Sequence, residues 1–527
     1  MTIFSHTRRA LAIGACLLAT ASPGSAQEMP KSGGELKLAV RGEPTSFDCQ
    51  TATSYNTLQY LAPHYSTLLR FDQENYPEIV ADTAESWDIS DDLKTYTVTL
   101  KEGIEFHDGS TLDAEDVKAT FERIAHPPEG VVSARQTALS DLESIEVTDP
   151  RTVKFTLKSP SSSFLAALAN PWFCLYSADL MKENPDYPDK LVMGTGPFTF
   201  TEYVSGDHWS GKRFDGYFKE GKPYLDSFRN QLVSGPAATN AIAAGELHGN
   251  IRFISVPAKD QMQSARGDEL TFQVTPSTST SLIDVNTRKP PFDDLRVRRA
   301  LSLAIDRNIG VQALGDQAGQ RWAHLIFRHG HDLAPTDEEL KSYPGFGEDI
   351  EAAREEARNL LKEAGQSDLS FTLINRNLPV PYEPLAVFFI DQWRQIGVNV
   401  KHEPLDTAAW AGRLSSGDYE VGIDLNAPSS DDPTDVLLKY VPGSSADRTG
   451  IEDAKLVELF EQQNRTLDEA VRAKLAKEFV VRAVELLYVI PTFNAERLIV
   501  LDSKVKGWKV PPSFYVGLDL ADVWIDG

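Results

Sequence analysis

EGIEFHDGSTLDAEDVK, residues 102–118, decides how the chain is read. His107 stands beside Asp108, and Asp113, Glu115 and Asp116 follow within eight residues. Taken as a site, this is an acid/base or metal-binding constellation. Taken as local structure, every residue already has a task. Tyr96 to Phe106 alternates imperfectly around Gly103 as a strand does, and Asp108-Gly109 is a strong tight-turn dipeptide. Asp113 can then cap a helix whose apolar face is Val117, Phe121 and Ile124, stopped by Pro127-Pro128. Carboxylates in a first helical turn favour the positive end of the helix dipole. Strand, turn and capped helix absorb the stretch, and the catalytic reading loses its best motif.

The same mixture continues outward. SIEVTDPRTVKFTLK (144–158) reads as a hairpin turning at Asp149-Pro150, with Val153, Phe155 and Leu157 on one face. Asp294 precedes a helix carrying Val297, Ala300, Leu301, Ala304 and Ile305 at helical spacing. EDIEAAREEARNLLKEAG (348–365) is amphipathic and ends at Gly365, a left-handed cap. TLDEAVRAKLAKEFVVRAVELL (466–487) is expected to bury Val471, Leu475, Phe479 and Ala483, and YVIPTF then reads as a strand. No repeat of solenoid period and no low-complexity tract interrupts these elements.

At 527 residues the chain exceeds what one hydrophobic core supports, so two or more domains are expected. Residues 1–26 follow separate rules: Arg8-Arg9, the apolar run 10–21, and PGSA ending at Ala26. This describes a cleavable export signal, with a partial twin-arginine pattern at Thr7-Arg8-Arg9-Ala10-Leu11. IGAC (13–16) resembles a lipobox, but the apolar run before Cys16 is short for a signal core, so a soluble exported protein is the preferred reading. The net charge is -25, and loss of a leader with two arginines and no acids takes it to -27. Such a field disfavours nucleic acid and anionic lipid. Of three cysteines, Cys49 and Cys174 survive cleavage. An oxidising compartment allows them one disulfide, but nothing in the sequence brings them together, so pairing is not favoured.

Other chemistry-bearing patterns are weak. GDHWSGKR (206–213) misses a phosphate loop by one residue, with Arg213 where the magnesium-binding hydroxyl belongs. GTGPF (194–198) lacks the third glycine and the helix of a dinucleotide fingerprint. Gly-x-Ser-x-Gly, His-Glu-x-x-His and paired Cys-x-x-Cys motifs are absent from the sequence. RWAHLIFRHGHDLAP (321–335) gathers His324, His329 and His331 in an expected loop, but their spacing matches no common zinc pattern.

In order along the chain, GGELKLAV, PEIVADTAESWDISDDLKTYTVTLKEGIEFHDGSTLDAEDV (77–117), GTGPFTF, YLDSF with AIAAGEL, PPFDDLRVRRALSLAIDR, ARNLLKEAG and WRQIGVNV (393–400) resemble the extracytoplasmic solute-binding proteins of ABC importers, peptide/nickel class, family 5. The likeness covers essentially the whole mature chain. In that family the Phe106-His107-Asp108-Gly109 turn is a signature and is not catalytic. The resemblance implies an α/β, two-lobed periplasmic-binding-protein fold, type II-like and of the large class, with mixed sheets, flanking helices and a hinge. Mapped here, the first lobe is expected over 27–276 plus 494–527, with an inserted subdomain near 73–193, and the second over 277–493. Ligand-stabilised closure of the lobes is the implied mechanism. A membrane permease and an ATPase are the implied partners, acting with a monomer in the periplasm that needs no cofactor and catalyses nothing.

Peptide-binding members carry an Asp four residues before the Pro of an acidic-Pro motif, paired with the peptide amine. In DLNAPSSDDPTD (424–435), counting back from Pro433 reaches Ser429, so Asp431 or Asp432 would have to move in. Sugars or opines would need aromatic platforms and planar hydrogen-bonding groups in the cleft, and the expected ligand-binding set is Tyr55, Asn56, Trp172, Trp322, Arg328, Trp410, Asn426, Ser429 and Asp431. Peptides are the leading ligand class. Opine-like conjugates and oligosaccharides compete, a metal or chelate held by His324, His329 and His331 is a further alternative, and a secreted hydrolase is the remotest.

Overall fold

Two long strands, Leu270–Val285 and Val489–Asp502, pair antiparallel and tie the molecule together. Their pairing runs from Leu270 opposite Asp502 to Pro276 opposite Glu496, breaks, and resumes with Thr280 opposite Asn494. The structure, a computed structural model, describes residues 29–52 and 54–527; the expected leader lies outside them.

On one side of the break the sheet continues through Gly249–Asn250, Glu35–Val40, Ser227–Leu232, His208–Arg213 and Phe198–Val204. On the other it continues through Val421–Asn426, Ser370–Arg376 and Asn399–Leu405. These last three are mutually parallel neighbours, and helices Tyr382–Arg394 and Thr407–Ser416 supply the crossovers that parallel pairing requires. Hydrophobic cores form separately on the two sides. One packs Leu36, Leu58, Trp209 and Ile499; another packs Ile283, Leu301, Trp393 and Phe493. A third, around Leu325, Leu437, Phe479 and Tyr488, lies with the second. The molecule is two lobes on one continuous sheet, divided where the long strands lose register.

The first lobe also carries a four-stranded antiparallel sheet, ordered Ala84–Ile89, Thr95–Leu100, Thr152–Leu157, Leu142–Asp149. Helix Ala114–Ala125 covers it, with the Phe121 ring edge-on to Phe155 at 5.1 Å. The stretch 102–118 is a tight turn followed by this helix. Phe106 N donates to Ser110 O at 2.8 Å, and Asp113 and Asp116 form a reciprocal capping box. His107 is anchored to GTGPF: its backbone N donates to Gly194 O, and its Nε2 lies 3.0 Å from Gly196 O. A Cβ at Gly194 would meet the His64 carbonyl at 2.4 Å, so close backbone approach explains that glycine without a nucleotide. GDHWSGKR is likewise a turn entering a strand, His208–Arg213.

Two expectations change. Cys49 and Cys174, 125 residues apart, are joined by a disulfide. Their pairing was invisible because tertiary folding, not local sequence, brings the two loops together. Helix Glu469–Leu486 buries Phe479 and Ala483, but Val471 is 46% exposed. The stripe facing the core is Ala476, Phe479, Val480, Ala483 and Val484, leaving the first turn in solvent.

Candidate ligand-binding site

A cavity of about 540 Å³ lies between the lobes. The first lobe contributes Arg135, Phe164, Asn170, Trp172 and Tyr515; the second contributes Pro428, Ser429, Ser430, Asp435 and Asn464. The lobes touch at its edges. Ser162 N donates to Asn464 O at 2.7 Å and Ser163 Oγ to Asn464 Oδ1 at 2.6 Å. Asn170 Nδ2 reaches Ser429 Oγ at 3.4 Å, and Ser513 Oγ donates to Ser429 O at 2.9 Å. Residues 427–430 leave the C-terminal end of strand Val421–Asn426, the end at which α/β sheets commonly present ligand sites.

Three acids cluster near Pro433, and their environments differ. Asp431 receives Arg328 Nε at 2.9 and 3.1 Å, and Asp432 receives Arg472 Nη2 at 2.7 and 2.9 Å. Asp435 accepts from Ser429 Oγ at 2.8 Å, Ser430 N at 2.9 Å and Ser430 Oγ at 3.1 Å. Among the described residues no basic group lies within ion-pair distance of it. Burial pushes its carboxyl above the usual range, against the pull of those hydrogen bonds.

Arg135 is the complement. Its guanidinium lies 4.3 Å from the Trp172 ring centroid and donates to Ala52 O at 2.6 Å, while its buried Nε has no partner. No described acid pairs with it. Burial lowers its pKa to about 10, so it stays charged at neutral pH. Trp172 and Tyr515, with centroids 5.8 Å apart, give the cavity an aromatic wall. The cavity thus holds a carboxylate and a guanidinium that feel each other's charge but form no ion pair. That arrangement fits a small zwitterion with an apolar or planar body.

The family is shown by comparison. The sequence model of "Bacterial extracellular solute-binding proteins, family 5 Middle" matches residues 78–447, more than half of the chain. This chain is a family 5 solute-binding protein. Glutathione-binding protein GsiB of Salmonella paratyphi A is 30% identical over 434 residues, covering 82% of this chain and 78% of that protein. GsiB of Escherichia coli K12 is 29% identical with the same coverage. The solved structure of AgaA from A. tumefaciens R10 with agropinic acid superposes with a TM-score of 0.80 at 25% identity, covering 94% of this chain and 99% of that one. DppA of Helicobacter pylori with the peptide STSA superposes at 0.82 and 23% identity, covering 94% and 99%, a likeness of fold. The two-lobed architecture is therefore the periplasmic-binding-protein fold, and the chain's role is that of a substrate-binding component of an ABC importer.

In this solute-binding protein the expected residues scatter. Trp172 and Ser429 line the cavity. Tyr55 continues the aromatic row beyond Tyr515, at 6.1 Å, and Asn56 accepts from Arg252 Nη1 at 3.0 Å. Arg328 and Asp431 neutralise each other, which leaves neither charge available to a ligand. Asn426 Nδ2 donates to Val436 O, fixing the chain behind the site. Trp410 is buried, its indole N–H donating to Ile423 O at 3.2 Å, with Arg376 over its ring. Trp322 stacks flat on His329 at 4.8 Å beside the register break.

The three histidines do not converge. His324 is buried, with a pKa lowered to about 3 by desolvation; His329 stacks on Trp322; His331 Nε2 lies 3.0 Å from Asp431 O. Among the described residues no group of three His, Cys, Asp or Glu is placed to hold a metal ion. Sequence reading missed Asp435, Arg135 and Tyr515. Asp435 left a faint signal, an acid two residues beyond the proline of the motif already under scrutiny. Arg135 and Tyr515 left none, since they come from loops distant in the chain.

Proposed function

We propose that the chain captures a small peptide-like zwitterion between its lobes in the periplasm, with its amine at Asp435 and a carboxylate at Arg135. The observation that carries this reading is the pair of opposite charges, neither held in an ion pair, lining one interlobe cavity of about 540 Å³. The GsiB relatives support it: glutathione, which their name says they bind, is a peptide with one amine and two carboxylates. Ser429 acts here by holding the Asp435 carboxylate, rather than as an anchor itself. A second reading, an opine-like conjugate on the Trp172 and Tyr515 wall, draws support from AgaA with agropinic acid.

The lobes in this reading are 27–276 with 494–527, and 277–493, with 73–193 inserted in the first. The register break between Pro276 and Thr280 supports a hinge there. Ligand contacts from both lobes stabilise the closed form, which a membrane permease and its ATPase partner read. The protein acts as an exported monomer without catalysis or cofactor, and no described helix is long and apolar enough to cross a membrane. Native mass spectrometry on protein from its own periplasm, followed by denaturation, tests the ligand class. Release of a peptide-like or amino-acid-derived zwitterion is expected; release of a neutral sugar or a metal chelate would overturn the proposal.

A further inference from the structure

The loop 159–163 leaves strand Thr152–Leu157 of the first lobe and meets the second lobe at the end of helix Ala454–Asn464. The last carbonyls of a helix have no partner within it. Here they are satisfied from the opposite lobe. Ser162 N donates to Asn464 O at 2.7 Å, and Ser162 Oγ lies 3.0 Å from the same oxygen and 3.3 Å from Gln463 O. The loop is held from behind, because the buried Tyr96 hydroxyl donates to Ser161 O at 2.5 Å.

Asn464 joins this contact to the ligand side of the second lobe. Its Oδ1 accepts from Ser163 Oγ at 2.6 Å across the cleft and from Thr434 Oγ1 at 3.2 Å in its own lobe. The Thr434 hydroxyl in turn accepts from Gln463 Nε2 at 3.0 Å and Arg472 Nη2 at 3.2 Å. Its single proton and both lone pairs are therefore committed, and its direction is fixed. Arg472 also holds Asp432, and Thr434 immediately precedes Asp435 in helix Pro433–Leu437. A continuous chain of hydrogen bonds thus runs from the serine loop of one lobe to the helix that carries Asp435 in the other.

We infer that the serine loop 161–163 and Asn464 form a latch that sets how much of the protein is closed, with Asn464 as a positioning residue that transmits closure to the helix carrying Asp435. The latch bonds join protein to protein, so the closed form is populated before a ligand arrives, and opening leaves helix carbonyls that must find water instead. Retention follows from this. A captured molecule leaves only when the latch opens, whatever its chemistry, so the inference goes beyond the zwitterion reading and does not depend on it. The Asn464 side chain works through an acceptor oxygen; aspartate in its place keeps that acceptor and alanine removes it.

Pulsed electron paramagnetic resonance between maleimide spin labels at Val204→Cys and Val387→Cys, exposed positions in different lobes, reads closure in the ligand-stripped protein. With the latch intact a short-distance population is expected; it falls about fivefold or more in Asn464→Ala and in Ser163→Ala, and is retained in Asn464→Asp. On unlabelled protein the probe is S-methylglutathione, whose dissociation is expected to be about tenfold faster from both alanine variants, with association changed by about twofold or less. The two substitutions lie in different lobes, so a folding defect in one leaves the other to decide. A protein with the latch intact but no short-distance population, a population or dissociation rate unchanged in both alanine variants, or a loss in Asn464→Asp equal to that in Asn464→Ala would overturn the latch. If S-methylglutathione does not bind, that result counts against peptide-like capture, and the label distances alone decide the latch.

Discussion

Asp435 is the residue on which the ligand reading turns. Its folded-state pKa is raised, so in the ligand-free protein the carboxyl contributes most to stability below the ordinary carboxylate range and loses that contribution as pH rises through the raised value. An ammonium ligand offsets the loss. Asp435→Asn is therefore expected to weaken binding of an amine-bearing peptide about tenfold or more, with the ligand-free melting temperature unchanged or higher at neutral pH. Unchanged affinity by titration calorimetry would remove Asp435 from the site. His64 and His324 carry the opposite sign: burial depresses both to about 3, so their contribution is full above 6.5 and is lost as pH falls toward 3. Near pH 4.5 the cost is about 2–3 kcal/mol for each, and His324→Leu should flatten the acid limb of a stability-against-pH curve. At this scale the sequence was only partly legible. Pro433 and its acids drew attention to the right loop, yet which acid is free depends on where Arg328 and Arg472 lie, about 100 and 40 residues away by chain. No local pattern encodes that.

Elements were read more securely, because caps, turns and periodicity act over a few residues. The Asp108-Gly109 turn, the Asp113 cap and the Asp149-Pro150 hairpin lie where their residue types place them. Asp113→Ala removes a carboxylate that accepts from two backbone N–H groups, and is expected to cost about 1 kcal/mol in denaturant unfolding without changing ligand affinity. A loss of binding in the folded variant would return the stretch 102–118 to the list of functional sites. The disulfide belongs to the same scale but was not legible, since Cys49 and Cys174 sit in separate loops of the first lobe's core. Closing a loop of 125 residues restricts the unfolded chain, so Cys174→Ser should destabilise the protein by about 2–5 kcal/mol. Equal stability with and without reductant would mean that the bond contributes nothing. Val471 shows the limit of periodicity: a helical stripe predicts a face, but only tertiary packing fixes how far along the helix that face is covered.

For the whole molecule, ordered family segments make the two-lobed fold legible in the sequence, whereas the ligand is not. A fold is specified by many redundant signals, and a site by a few side chains that converge from both lobes. Here the convergence consists of an acid and an arginine in one cavity with an aromatic wall. In the proposed reading the hinge is the register break in two continuous strands, about which the lobes rotate without breaking the sheet. Ligand energy appears as closure only where both lobes contact the ligand. The most direct measurement is small-angle scattering of the protein, first stripped of ligand and then saturated with the compound released in native mass spectrometry. A smaller radius of gyration on saturation, lost in Asp435→Asn, is the expected result. An unchanged radius at full occupancy would contradict capture by lobe closure.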